Sequence, residues 1–270
     1  MSAIDTTFQQ LRSSGRKALI PFIAAGDPDL ETTVEAIKLL DASGANIIEL
    51  GIPYSDPIAD GPVIQAAYTR ALAGHVTLAD IFAAIEPVAS QIAVPLVTMV
   101  SYATVYRHGL AQYVADAKAA GFAGAIVPDL LFEESDELGA ISKDADFSLI
   151  QLVTPTTTRD RAVNIAKAST GFLYYVSVAG ITGTRDALPD DLVENVAWLR
   201  EQTAVPVSIG FGISRPEHAQ TLAPVADGII VGSAIVRHFE SIASRGREAA
   251  FGDIRALVAG LRQGLDGASS

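Results

Sequence analysis

Short, near-continuous apolar runs alternate with longer segments of helical period along all 270 residues of the chain. The runs at 18–23, 46–50, 95–100, 124–127, 148–153, 172–177, 206–209 and 228–231 are rich in β-branched residues. They lack strict apolar–polar alternation, which is the pattern of parallel strands covered on both faces. Helix-length segments fall at 30–42, 78–91, 110–120, 133–143, 159–168, 191–202 and 216–223. The joints at 41–45, 118–123 and 223–228 each end a helix on small residues or glycine and open a strand. Eight such units without a linker or low-complexity stretch predict an α/β fold, a single (β/α)8 TIM barrel spanning 1–270. An open doubly wound sheet is the alternative. The count of eight weighs against it, as does the lack of a Gly-x-Gly-x-x-Gly turn after the first strand. Residues 8–14 read as an extra N-terminal helix and 247–265 as the last barrel helix.

Composition narrows the partners. The formal charge of −12 argues against nucleic acid or an anionic membrane surface. An anionic substrate stays open, because local backbone donors outweigh net charge. The chain has no cysteine, so disulfides, thiol nucleophiles and cysteine metal sites are excluded. No apolar run approaches the roughly 18 residues that span a bilayer, and the first twenty residues carry Asp5, Arg12, Arg16 and Lys17 rather than a signal peptide. A soluble, cytoplasmic protein is expected.

One run stands apart. In residues 47–62 a carboxylate, Glu49, interrupts an apolar strand, where desolvation is costly. A loop with three prolines, two glycines, Asp56 and Asp60 follows. Active sites of this fold gather at the C-terminal strand ends. Those ends offer Phe22, Glu49 with Asp60, Val100 and Tyr102, Asp129, Tyr174, and then Gly183, Gly210 to Gly212 with Phe211, and Gly232-Ser233. Glycines clustered on loops 6 to 8, with Ser233 opening a short helix, suggest a phosphate site, although each glycine alone could simply cap a turn. Glu49 is either a structural carboxylate or an acid–base group with a raised pKa. Asp60 alone could be a turn residue, and its value lies in pairing with Glu49.

Elimination limits the chemistry. The lysines at 17, 38, 118, 143 and 167 avoid strand ends, which disfavours a Schiff-base aldolase. The four histidines lack ligand spacing, which disfavours a metal-dependent one. The residues point to carboxylate-driven chemistry on an apolar phosphate ester, with no metal and no cofactor. They do not say which ester.

The stretch from Glu49 to Pro62, Glu-Leu-Gly-Ile-Pro-Tyr-Ser-Asp-Pro-Ile-Ala-Asp-Gly-Pro, resembles the signature of the tryptophan synthase alpha chain. Pro21-Phe22, Gly26-Asp27-Pro28, Val127-Pro128-Asp129-Leu130, Thr182-Gly183, Gly210-Phe211-Gly212-Ile213 and Val231-Gly232-Ser233-Ala234 extend the similarity over nearly the whole chain. The resemblance implies a lyase that splits indole-3-glycerol phosphate into indole and glyceraldehyde 3-phosphate. It gives Glu49 the principal proton transfer and Asp60 the indole N–H. Phe22, Val100 and Phe211 would flank the ring, with Tyr102 and Tyr174 in the pocket. Gly183, Gly212, Gly232 and Ser233 would hold the phosphate, and residues 178–190, with Thr182, would form a closing lid. It also implies a pyridoxal-phosphate-dependent beta chain as partner in an α2β2 heterotetramer, contacted through Pro53, Asp56 and the loop after strand 4. Two departures from the family pattern, Leu131-Phe132 in place of two prolines and Thr104 in place of Asn, fall at that contact surface. A stand-alone lyase, a regulatory ligand-binding subunit and another phosphate-handling barrel are the competing readings.

Overall fold

The computed structural model describes residues 2–57, 60–177, 191–210 and 212–267. Its eight strands are β1 (Ala18–Ala24), β2 (Ile48–Gly51), β3 (Leu96–Met99), β4 (Phe122–Ile126), β5 (Ser148–Val153), β6 (Leu173–Val176), β7 (Val207–Gly210) and β8 (Gly228–Val231). Each pairs in parallel with the next in chain order, and β8 returns to β1 to close the barrel. The expected (β/α)8 architecture is therefore present.

Side chains along each strand alternate between the helix layer and the barrel axis. In β2, Ile48 and Leu50 join the large helix-side core, whereas Ile47, just before the strand, packs inside the barrel with Ile20, Val97, Ile126, Ile150 and Ile230. Glu49 shares the parity of Ile47, so the strand period aims its carboxyl at the axis. Helix α1 (Ala3–Ser13) closes the N-terminal pole with Ile4, Phe8 and Leu11, the Phe8 ring lying 5.9 Å from that of Phe172. It starts earlier than the expected 8–14. Ser2 and Asp5 form a capping box, a start signal carried by polar residues rather than by the apolar pattern.

The remaining helices run in order: α2 (Leu30–Ala42), α3 (Pro62–Ala73), α4 (Leu78–Ala89), α5 (Tyr102–His108), α6 (Leu110–Ala119), α7 (Asp136–Asp144), α8 (Arg159–Ala168), α9 (Leu192–Gln202), α10 (Pro216–Leu222), α11 (Ser233–Glu240), α12 (Ile242–Arg245) and α13 (Arg247–Gly267). Three of them, α3, α5 and the four-residue α12, correspond to no helix expected from the sequence. Pro62, which looks like the end of a proline-rich loop, is the first residue of α3, where its missing N–H costs nothing. Ile64, Ala67, Tyr68 and Ala71 then recur at helical spacing on the buried face. Ser101 caps α5 by accepting from the Thr104 N–H. Among the described residues no single helix is long and apolar enough to cross a membrane. The expected lid and Phe211 lie outside the described residues.

Candidate active site

Glu49 is wholly buried, and among the described residues neither of its carboxyl oxygens has a hydrogen-bond partner. Phe22 of β1 stands beside it in register. One residue pair further on, Gly51 leaves a gap that two aromatic groups fill. A Cβ built there would stand 2.5 Å from Phe22 Cζ and 2.5 Å from the Tyr68 hydroxyl. A carboxylate kept for structure would be satisfied by donors. Glu49 is not, which favours the acid–base reading. Burial, with a smaller push from the negative charge of Asp60, raises its pKa to about 8, so near neutrality it is mainly a carboxylic acid.

Asp60 approaches from the loop before α3. Its backbone N–H donates to the Pro57 carbonyl at 3.1 Å, and Gln65 Nε2 donates back to the carbonyls of Asp60 (2.7 Å) and Pro57 (3.2 Å). Among the described residues its carboxyl has one side-chain hydrogen bond, from the Tyr54 hydroxyl at a long 3.5 Å. Burial lifts Asp60 to about 6 and the Tyr54 bond opposes that rise. Burial and the Asp60 charge push Tyr54 itself to about 12, so it stays a neutral donor. The two acids are thus held in different protonation states at neutral pH, which suits a division of roles.

A cavity of about 310 Å³ lies here, near the lower end of small-molecule sites. Tyr54, Asp60, Tyr68, Met99, Val100 and Leu152 form its walls, and Ser101 and Asp129 stand at the C-terminal ends of β3 and β4. Tyr174 lies close enough to Glu49 and Asp60 for both charges to raise its pKa further, after burial. The ring of Tyr102 packs against the helix-side core and 6.0 Å from Tyr106, while its N–H donates to Asp129 at 2.7 Å. It therefore ties the β3 and β4 loops together beside the cavity.

Across the barrel mouth, β7 ends in Gly210 and Gly232 directly follows β8. A Cβ on Gly210 would collide with the Tyr174 hydroxyl, and one on Gly232 would rest 3.6 Å from Phe22. Gly232 precedes α11, and its carbonyl accepts from the Ile235 and Val236 N–H groups at 2.8 and 3.0 Å. The first amides of α11, including that of Ser233, have no partner within the helix. Gly212 has φ +78° and open space at its Cβ position. Thr182, Gly183 and Phe211 fall outside the described residues. Among those described, no group of three His, Cys, Asp or Glu side chains could hold a metal.

Three contributors were not singled out from the sequence. Tyr54 and Tyr68, with rings 5.8 Å apart, line the Asp60 side. The third is an ion pair. Asp27, 1% exposed after β1, takes both Nε and Nη2 of Arg70 on α3 at 2.7 Å, and Glu240 of α11 stands 3.9 Å from the same guanidinium. The only local signal was the helical spacing of 62–73.

Fold and site together define an acid–base enzyme of the (β/α)8 class. Its mouth sets two carboxyls of unlike proton affinity among buried aromatic side chains. The chain belongs to the tryptophan synthase alpha chain family, whose sequence model matches residues 8–264. A tryptophan synthase alpha chain of Rhodopirellula baltica is 51% identical over 278 residues, covering 99% of this chain and 100% of that one. One from Synechocystis is 48% identical, covering 88% and 90%. Tryptophan synthase subunit alpha of Legionella pneumophila superposes with a TM-score of 0.89 at 34% identity, covering 99% of each chain. Tryptophan synthase of Mycobacterium tuberculosis superposes at 0.88 and 35%, covering 98% of each. The activity is cleavage of indole-3-glycerol phosphate, a step of tryptophan biosynthesis.

Proposed function

We propose that Glu49 carries the proton transfers of this cleavage and that Asp60 holds the indole nitrogen. The observation that carries the proposal is a fully buried, unpartnered carboxyl beside a second acid of lower pKa. Protonated Glu49 gives its proton to the ring carbon that bears the glycerol chain. Positive charge then develops on the ring nitrogen, whose N–H donates to the Asp60 carboxylate. The carboxylate left on Glu49 takes the proton of the adjacent hydroxyl. The C–C electron pair returns to the ring, releasing indole and the aldehyde of glyceraldehyde 3-phosphate. Glu49 ends protonated, so the cycle closes without net proton uptake. Phe22, Val100 and Phe211 flank the ring, and Tyr174 lies close to both acids. Gly183, Gly212, Gly232 and Ser233 take the phosphate through backbone and hydroxyl donors.

The same proposal extends to the assembly. A pyridoxal-phosphate-dependent beta chain docks over the β2 to β4 loops in an α2β2 complex in the cytoplasm, with residues 1–270 acting as one domain. Two large apolar side chains support that face: Tyr106 and Leu131, 68% and 56% exposed. The Tyr102–Asp129 bond ties the start of α5, which carries Tyr106, to the β4 loop that carries Leu131. The test is indole release from indole-3-glycerol phosphate with and without added beta chain. Release that is low alone and rises with the partner supports the complex. High release alone favours a stand-alone lyase, and normal cleavage by Glu49→Gln defeats the proton-transfer assignment.

A further inference from the structure

The N-terminal pole of the barrel, opposite the catalytic mouth, holds a second concave site that shares no lining residue with the first. A cavity of about 150 Å³ opens between α1, the turn into β1 and α9. Phe8 and Leu11 form its apolar floor, and Arg12, Arg16, Lys17 and Arg200 bring four cations against the one carboxylate of Asp227. The chain has only 19 lysines and arginines and a formal charge of −12, so this convergence runs against its average.

Asp227 is already engaged. It is 4% exposed, accepts from the Val207 N–H at 3.0 Å, and stands 3.2 Å from Arg200 and 3.6 Å from Arg12. Those two guanidiniums also reach the carbonyls of Pro224 and Ala204 at 3.4 Å. Arg16 meets Asp266 at 3.6 Å across a half-exposed gap, and pairs of that kind bind weakly. Among the described residues no carboxylate stands within ion-pair reach of the Lys17 ammonium. Burial, and next the positive field of Arg200, hold Lys17 below the usual lysine range, with Asp227 offsetting only part. Four cations thus share Asp227 and Asp266, and Asp266 is already held by Arg262 at 2.7 Å, so positive charge is left over.

We infer that this cavity binds a small doubly charged oxyanion, a single phosphate or phosphate monoester group. Guanidinium forks match tetrahedral oxyanions. The volume is below the roughly 300 Å³ at which sites for larger organic ligands begin, so a phosphate group fits and a nucleotide does not. Arg12 comes from α1, Arg16 and Lys17 from the turn into β1, and Arg200 from α9. A bound anion therefore links three elements and holds α1 against the barrel.

Hydrogen exchange of the intact protein, in inorganic phosphate against sodium chloride at equal ionic strength, tests this. Exchange of the α1 amides should slow by the factor one plus the ratio of phosphate concentration to its Kd, about twofold when the two are equal. The Arg16→Ser/Lys17→Ser variant should lose that slowing. It should keep wild-type exchange elsewhere, wild-type turnover, and any phosphate protection at the start of α11, which belongs to the catalytic site. The chloride comparison removes simple screening. No phosphate-specific slowing in wild-type α1, or full slowing in the variant, overturns the inference. The result is independent of the roles of Glu49 and Asp60.

Discussion

Replacing Glu49 by Gln should remove turnover and change how stability depends on pH. The folded pKa of about 8 lies above the ordinary 4.5. The native state therefore holds a proton between those values that the unfolded chain has released. Stability from this group is full below pH 4.5 and falls as pH rises, because the unfolded chain gains by ionising. The loss is complete above about pH 8. At about 1.4 kcal/mol per unit, the whole interval is about 5 kcal/mol, and about 3 kcal/mol is already lost at pH 7. Glutamine cannot ionise, so the variant escapes this slope. Urea unfolding of both proteins at pH 5, 6, 7 and 8 measures it. The difference in unfolding free energy should move in favour of the variant by about 1.4 kcal/mol per unit. It should level off above pH 8. Comparing slopes cancels the fixed cost of burying an amide in place of an acid. Parallel profiles over this range would refute a buried, high-pKa Glu49, and so would a slope of opposite sign.

Three further outcomes are expected. The catalytic efficiency should be bell-shaped in pH, rising near 6 as Asp60 ionises and falling near 8 as Glu49 loses its proton; a flat profile from 5 to 9 would contradict the division of roles. Gly51→Ala should place a methyl on Phe22 and Tyr68, costing about 1–3 kcal/mol in chemical unfolding and lowering turnover more than in a surface control such as Gly252→Ala, where the Cβ meets open space. Arg70→Leu should leave Asp27 buried and unpaired, costing about 3–5 kcal/mol, and the double variant Asp27→Asn/Arg70→Leu should recover part of that in the same melts.

The sheet was legible because a parallel strand covered on both faces writes itself as an apolar run. β5 and β8 carry the expected bounds, and the other strands begin or end within two residues of them. Glu49 was legible for the same reason, since a charge breaks such a run visibly. Helix α3 was not, because Pro53, Pro57 and Pro62 read as one loop although the third starts a helix. Tyr54 and Tyr68 drew no reading from the sequence, because nothing local marks a hydroxyl that faces an acid. The Asp27–Arg70 pair joins residues 43 apart in sequence, a relation created only when α3 folds back over β1.

That fold-back has a consequence of its own. After β2 the chain makes two helices where the barrel needs one. α4 does the covering, with Ile81, Phe82, Ile85 and Val88 buried in the helix-side core. α3 is released from that duty and instead packs over the mouth, where Ile64, Ala67 and Tyr68 meet Phe22, Ala24 and Val236 of α11. The second acid thus rides on an inserted roof, whereas the first is fixed in the wall. A roof of this kind can be exchanged as a cassette: grafting residues 52–77 from another such barrel would recut the half of the pocket around Asp60 while leaving the strand that carries Glu49 in register.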